Sequence, residues 1–323
     1  MRRKFLVFPW VVVAYCLCVI LWGAYVRATG SGAGCGNHWP SCNGEVIPRS
    51  PQTETIIEFT HRLTSGLSLV LIMGLFFWVR SRFPKNRPAR VGSMFSLAFI
   101  FTEALLGAGL VLLNLVSHNA SLGRAFTMAA HLLNTLLLLA SLSFTAWASN
   151  TSGKPIKFTI SRWSILFFFG LVSLMVVGAS GAITALGDTL FPAKSLVSGL
   201  KEDFFNSEHF LIRLRVWHPL LSILTALYIG GLVIWYRKQI VIESIEAMTL
   251  LLLSLVAIQL AIGVVNVLLL APIFLQMIHL LVADLIWITM VLCTIQVSSQ
   301  CSSLMNGQSS NPLLGKLDCR EKY

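Results

Sequence analysis

The 323-residue sequence predicts an all-α integral membrane protein of eight transmembrane helices, forming two pseudo-symmetric four-helix bundles with both termini cytoplasmic. Three observations carry that expectation. Hydrophobic residues make up 56% of the chain and charged residues 11%, against roughly 45–50% and about 25% in soluble domains. Eight apolar runs are long enough to cross a bilayer. Histidines recur on every second run. The composition alone excludes an ordinary soluble enzyme, a disordered chain and a nucleic-acid binder.

A helix needs roughly 20 apolar residues to cross a hydrocarbon core about 30 Å thick. Runs of that length fall at 6–26, 60–79, 91–114, 126–148, 163–183, 214–236, 247–270 and 275–296. The first follows Arg2, Arg3 and Lys4 as a secretory leader would. It is too long for a leader's apolar region and no small-residue cleavage site closes it, so it reads as a retained span.

Basic residues set the orientation. Of the 24, one set of segments holds 16: Arg2, Arg3, Lys4; Arg80, Arg82, Lys85, Arg87, Arg90; Lys154, Lys157, Arg162; Arg237, Lys238; and Lys316, Arg320, Lys322. The opposite set holds Arg27, Arg49, Arg62, Arg124, Lys194, Lys201, Arg213 and Arg215. Both termini are therefore expected on the cytoplasmic side, or the matrix side in an organelle. The net charge of +11 is a topology signal and needs no nucleic acid to explain it. The outer side then carries two long loops, 27–59 and 184–213, and the segment from Ser298 reads as a flexible polar tail.

The spans repeat. His131-Leu132-Leu133 on the fourth matches His279-Leu280-Leu281 on the eighth, and Glu103-Ala104-Leu105-Leu106-Gly107 on the third aligns with Gln259-Leu260-Ala261-Ile262-Gly263 on the seventh. His61 and His218 take corresponding places on the second and sixth. Four spans per half make the repeat parallel, with an axis along the membrane normal. The expected divisions are an amino-terminal bundle over 1–150, a carboxy-terminal bundle over 151–297 and the tail 298–323.

Ionisable groups inside spans are costly and read as functional. At about 1.5 Å per residue, His61, His131, His218 and His279 all fall within roughly 7 Å of the outer boundary. Two histidines facing one another in each bundle suit the two axial positions of a haem iron. Two imidazoles leave a tetrahedral zinc short of ligands. No C-x-x-C-H motif occurs, so any haem is held without thioether bonds.

Glu58 precedes His61 by three residues, so a helix puts both on one face. Its carboxylate can relay protons, stabilise positive charge, or serve as a helix N-terminal charge. Arg215 stands at the matching place in the other half. Cys35 and Cys42 lie in an outer, oxidising compartment, where the pair reads as a disulfide, structural or redox-active. With His38 they form C-x2-H-x3-C, which is too few ligands for a closed structural zinc. Cys16, Cys18 and Cys293 read as apolar core residues, and Gly107, Gly109, Gly178 and Gly181 as sites of close helix packing. Glu103 reads equally as a proton-path residue or a packing hydrogen bond.

The string Gly23-Ala24-Tyr25-Val26-Arg27-Ala28-Thr29-Gly30-Ser31-Gly32, the Cys35/Cys42 loop, and Glu58-Phe59-Thr60-His61-Arg62, taken with His131, His218 and His279, resembles the haem A synthase family. The resemblance runs across all eight spans. It implies that the amino-terminal half takes the substrate haem O through His61 and His131, and that the other half holds a non-covalent haem b through His218 and His279. It implies a catalytic role for Glu58, a loop cysteine pair at Cys35 and Cys42, and oxidation of a ring methyl to a formyl through a hydroxymethyl stage. Implied partners are the farnesyltransferase that makes haem O, cytochrome oxidase assembly, and a membrane electron donor or acceptor. The setting is a bacterial cell membrane, or the mitochondrial inner membrane in a eukaryote. One departure is plain: residues 184–213 lack the second cysteine pair that some members carry. Two other readings remain, a di-haem b electron carrier without chemistry on either haem, and a haem or small-molecule transporter.

Overall fold

The computed structural model describes residues 2–49, 51–150, 160–203, 209–239 and 243–305. Lys154, Lys157 and the tail beyond Met305, with Lys316, Cys319, Arg320 and Lys322, lie outside the described residues, as do the side chains of Arg2, Arg3, Lys4 and Cys301.

Helix dominates what is described. In chain order the helices are α1 (Arg2–Ala28), α2 (Thr53–Arg82), α3 (Pro88–Leu112), α4 (Leu122–Asn150), α5 (Arg162–Leu190), α6 (Leu196–Lys201), α7 (Phe210–Arg213), α8 (Trp217–Gln239), α9 (Glu243–Leu268) and α10 (Ile273–Met305). Eight spans are long and apolar enough to cross a membrane, with α7 and α8 joining into one, Phe210–Gln239. No β-strand occurs among the described residues, only an isolated bridge between Cys42 and Glu45. The chain is a multi-pass integral membrane protein.

Local sequence explains the helix ends. Pro88 occupies the first turn of α3, where its missing N–H is not needed. Ser161 and Ser164 form a reciprocal capping box at the start of α5. Arg80 and Arg82 close α2, and Arg237 and Lys238 close α8, where cations complement the helix dipole. Helices α2, α5 and α10 outrun their apolar runs, and α10, by reaching Met305, carries helix into the segment from Ser298 that reads as a flexible tail. Helix α2 starts at Thr53 and α5 continues to Leu190, so polar first and last turns extend past the hydrocarbon-length segments.

Helices α1 to α4 pack in a closed round, α1 on α2, α2 on α3, α3 on α4 and α4 on α1. Helices α5, α8, α9 and α10 close a second round in the same way. Two large clusters of buried side chains follow these groups. One is built on Ile72, Leu75, Leu139 and Leu142, the other on Trp163, Phe167, Ile229 and Met290. Helices α1 and α4 meet α5 and α10 between the rounds. There Trp287 Nε1 donates to Leu136 O at 2.6 Å, and Arg27 donates to Ala185 O, Thr189 Oγ1 and Gln276 Oε1. Without a hydrophobic force between helices in lipid, such polar ties and close backbone approaches do the joining. Within the first round Gly92 of α3 is one such approach: a Cβ there would come 2.5 Å from Thr145 Oγ1 and 2.8 Å from the Phe144 ring on α4. Large apolar side chains such as Phe77, Leu105 and Phe168 point outward. Cys16 and Cys293 are buried as expected, but Cys18 is exposed on the outer face of α1 and is no core residue.

Candidate haem site and its outer loops

The four histidines lie at matched positions in their spans. His61 is eight residues after Thr53, His131 nine after Leu122, His218 eight after Phe210 and His279 six after Ile273. His61 is therefore two turns inside α2 rather than at its start. His218 and His279 face one another with ring centroids 6.3 Å apart and planes at 81°. His61 and His131 lie close enough for their charges to interact.

Each ring rests against a glycine of the preceding long helix. A Cβ on Gly23 of α1 would stand 2.8 Å from His61 Cε1, and one on Gly181 of α5 would stand 2.9 Å from His218 Cε1. On the other helices the seats are looser, 3.9 Å from Gly107 to His131 Cε1 and 3.4 Å from Gly263 to His279 Cε1. Gly107 and Gly181 thus pack against imidazoles, not merely against helix backbones. The seats recur in order, tight then loose, in both halves.

Hydrogen-bonding partners differ between the halves. Glu103 Oε1 lies 3.3 Å from His131 Nδ1, at ion-pair distance but off the line of a straight hydrogen bond. Asn134 Nδ2 donates to Glu103 Oε2 at 2.6 Å and Thr135 Oγ1 to Oε1 at 2.5 Å. The aligned Gln259 places its Nε2 3.2 Å from His279 Nε2. Ser180 Oγ sits 3.1 Å from His218 Nδ1.

Glu58 is 4% exposed and lies inside α2. Cys35 N donates to its Oε2 at 2.8 Å, and Arg62 donates to its Oε1 through Nε at 3.1 Å and Nη2 at 2.5 Å. Arg62 also donates to His38 O and Ser41 O, each at 2.6 Å. Together they clamp the outer loop, which a Cys35–Cys42 disulfide closes. Both sulfurs are engaged in that bond, so the loop offers no thiolate for a metal. Thr55 Oγ1 donates to Gly34 O, and a side chain on Gly34 would collide with the α2 backbone at Glu54 and Thr55.

Arg215 plays the corresponding part for the second outer loop. It pairs with Asp188 at 3.0 Å, reaches Asp203 at 3.7 Å, and donates to Gly187 O and Phe191 O. Burial lifts the Asp203 carboxyl above its ordinary value, although Arg215 pulls it down. His209 has a capping role there, its ring accepting from Leu211 N.

Among the described residues no cluster of three or more His, Cys, Asp or Glu can hold a metal ion. Paired imidazoles hold one only within a group that brings its remaining ligands, as a haem does. With metal–imidazole bonds of about 2.0–2.1 Å, two rings on opposite faces of one ion have centroids about 6 Å apart, which the His218–His279 spacing matches. By that spacing His218 and His279 fit the group.

The family model for the COX15-CtaA cytochrome oxidase assembly protein matches residues 6–291. The chain belongs to the haem A synthase family. It is 30% identical to a Heme A synthase of Halalkalibacterium halodurans over 90% of this chain and 96% of that one. It is 34% identical to the Heme A synthase of Alkalihalophilus pseudofirmus over 56% and 60%. It is also 46% identical to a Protoheme IX farnesyltransferase of Thermus thermophilus, over 88% of this chain but 47% of that protein. The chain thus spans about half the length of that relative.

In this haem A synthase family chain, the sequence singled out all four histidines, Glu58 and the cysteine pair. It missed that Gly23 and Gly263 seat histidines, although Gly263 aligns with Gly107 in the repeat and Gly23 opens the string that carries the resemblance. It also missed Arg62 as the partner of Glu58, although the i,i+4 spacing is a readable signal.

Proposed function

We propose that this chain is a haem A synthase. It oxidises a ring methyl of haem O to a formyl group through a hydroxymethyl stage, with haem b as a resident cofactor. The observation that carries the reading is the repeated pair of glycine-seated histidines, one pair in each round of helices. His61 and His131 hold the substrate haem O in the half 1–150, and His218 and His279 hold haem b in the half 151–297. The two rounds are pseudo-symmetric bundles, with the cysteine loop on the outer side and the basic connections on the inner side of a bacterial cell membrane. Both termini are cytoplasmic, with α10 continuing to Met305 on that side.

Haem b, when bound, supplies one-electron chemistry. The chain's residues do the rest. Gly23 and Gly107 let the substrate-side imidazoles stand against their neighbouring helices and fix their reach. Glu58, three residues from His61 on the same helix, supplies a carboxylate at the outer rim of the substrate half. Arg62 and Cys35 N hold both its oxygens in place. A carboxylate so fixed needs little reorganisation when it stabilises positive charge or takes a proton from the reacting carbon. The partner supplying haem O is a farnesyltransferase. Supporting this, a relative carrying that name contains a segment similar to 88% of this chain, which makes up 47% of that protein.

The test is conversion. Membranes of cells that make haem O, with and without this chain, are extracted and their haems separated by chromatography. Haem A and its hydroxymethyl precursor are expected only where the chain is present. Haem O alone in both, with two haem b bound per chain, would mean a di-haem electron carrier.

A further inference from the structure

We propose that Glu103 is a positioning residue, a carboxylate that backs His131 and makes its imidazole a stronger electron donor than its counterpart in the other half. This rests on the reading that His61 and His131 hold the substrate haem. Three polar side chains serve to place this one carboxylate inside the membrane. Asn134 Nδ2 donates to Oε2 and also to Phe99 O, while Thr102 Oγ1 donates to Asn134 Oδ1 at 2.6 Å. The amide's orientation is thus set, with its NH2 toward Glu103. Thr135 holds the other oxygen. What these contacts achieve is a carboxylate oxygen 3.3 Å from His131 Nδ1, a buried ring nitrogen with no other partner.

A simple packing role would call for the same device in both halves. The repeat instead replaces Glu103 by Gln259, Asn134 by Val282 and Thr135 by Ala283. Gln259 meets His279 with a neutral amide and on a different ring nitrogen. A carboxylate 3.3 Å from Nδ1 stabilises a proton on that nitrogen electrostatically, which leaves Nε2 for a metal and raises the basicity of the ligand. A more basic imidazole favours the oxidised iron. The half that takes the substrate is therefore distinguished by a charged partner behind one ligand.

The full chain, purified from cells that make haem O, is compared with Glu103→Gln, Glu103→Asp and His131→Ala by equilibrium redox titration and electron paramagnetic resonance of each haem. Glu103→Gln is expected to retain both haems. It should raise the midpoint potential of the amino-terminal haem alone, by about a tenfold change in its oxidised-to-reduced ratio, or 59 mV for a one-electron couple. Glu103→Asp should restore part of the shift. Loss of that haem in Glu103→Gln but not in Glu103→Asp also supports the proposal. Unchanged potential and resonance, an equal shift of both haems, or loss of haem in both variants would overturn it. If His131→Ala keeps the amino-terminal haem, the ligand reading itself has failed. If His131→Ala loses that haem while Glu103→Gln is silent, only the role of Glu103 has failed.

Discussion

The two halves of this chain solve one packing problem alike and then diverge at the outer surface. Both seat a histidine tightly against a glycine of the first helix and another loosely against a glycine of the third. Above those seats, the amino-terminal half closes its loop with a disulfide and anchors it on a buried carboxylate, Glu58, paired with Arg62. The carboxy-terminal half has no cysteine there and anchors its loop on a buried cation, Arg215, paired with Asp188. The positions three residues before His61 and His218 thus carry opposite charges for the same mechanical end, Glu58 inside α2 and Arg215 in the turn before α8. The difference teaches that the repeat preserves the ring seats, while the groups around them were free to specialise.

The sharpest way to break the comparison is to neutralise one anchor. Glu58→Gln should leave haem content near that of the parent chain and lower product formation by about 10²-fold or more. The check is haem chromatography after a fixed time in haem O-producing cells. Undiminished haem A would leave Glu58 only its loop-holding role. The seats come next. Gly23→Ala and Gly181→Ala should each cost about 1–3 kcal/mol through overpacking and reduce the haem bound in their own half. Gly107→Ala, whose Cβ would meet His131 Cε1 at an ordinary contact distance of 3.9 Å, should do neither. Haem-to-protein ratios from absorbance decide this, and equal effects at Gly23 and Gly107 would erase the tight–loose distinction.

The loop anchors give smaller effects. Arg215→Gln should expose residues 184–203 to limited proteolysis. Replacing Cys35 and Cys42 by serine should leave the first loop largely protected, because Glu58, Arg62 and Thr55 still grip it. Asp203→Asn should have the least effect of all. Asp203 stands 3.7 Å from Arg215, so it adds little to the hold that Asp188 at 3.0 Å and two carbonyls already provide.

Much of this was legible in the sequence because the bilayer imposes strong rules. Apolar length marked eight spans, and ionisable residues inside them pointed to His61, His131, His218 and His279. Boundaries were less legible. Polar first and last turns such as Thr53–Phe59 carry no hydropathy signal, so α2 read as starting near His61. Contacts between helices were not legible at all. Glu103 read as either a proton-path residue or a packing hydrogen bond, and only the approach of α3 to α4 shows it facing His131. The seat of Gly23 against His61 likewise joins residues 38 positions apart on two helices. Arg215 read as a base beside a histidine, whereas its guanidinium turns to Asp188 and the outer loop.

The most direct test of the central claim, that the halves hold different haems, is to extract and identify the haems of two variants made in cells that supply haem O. His131→Ala should lose haem O and its oxidised products while keeping haem B. His279→Ala should lose haem B while keeping haem O. Loss of the same haem from both variants would contradict the account.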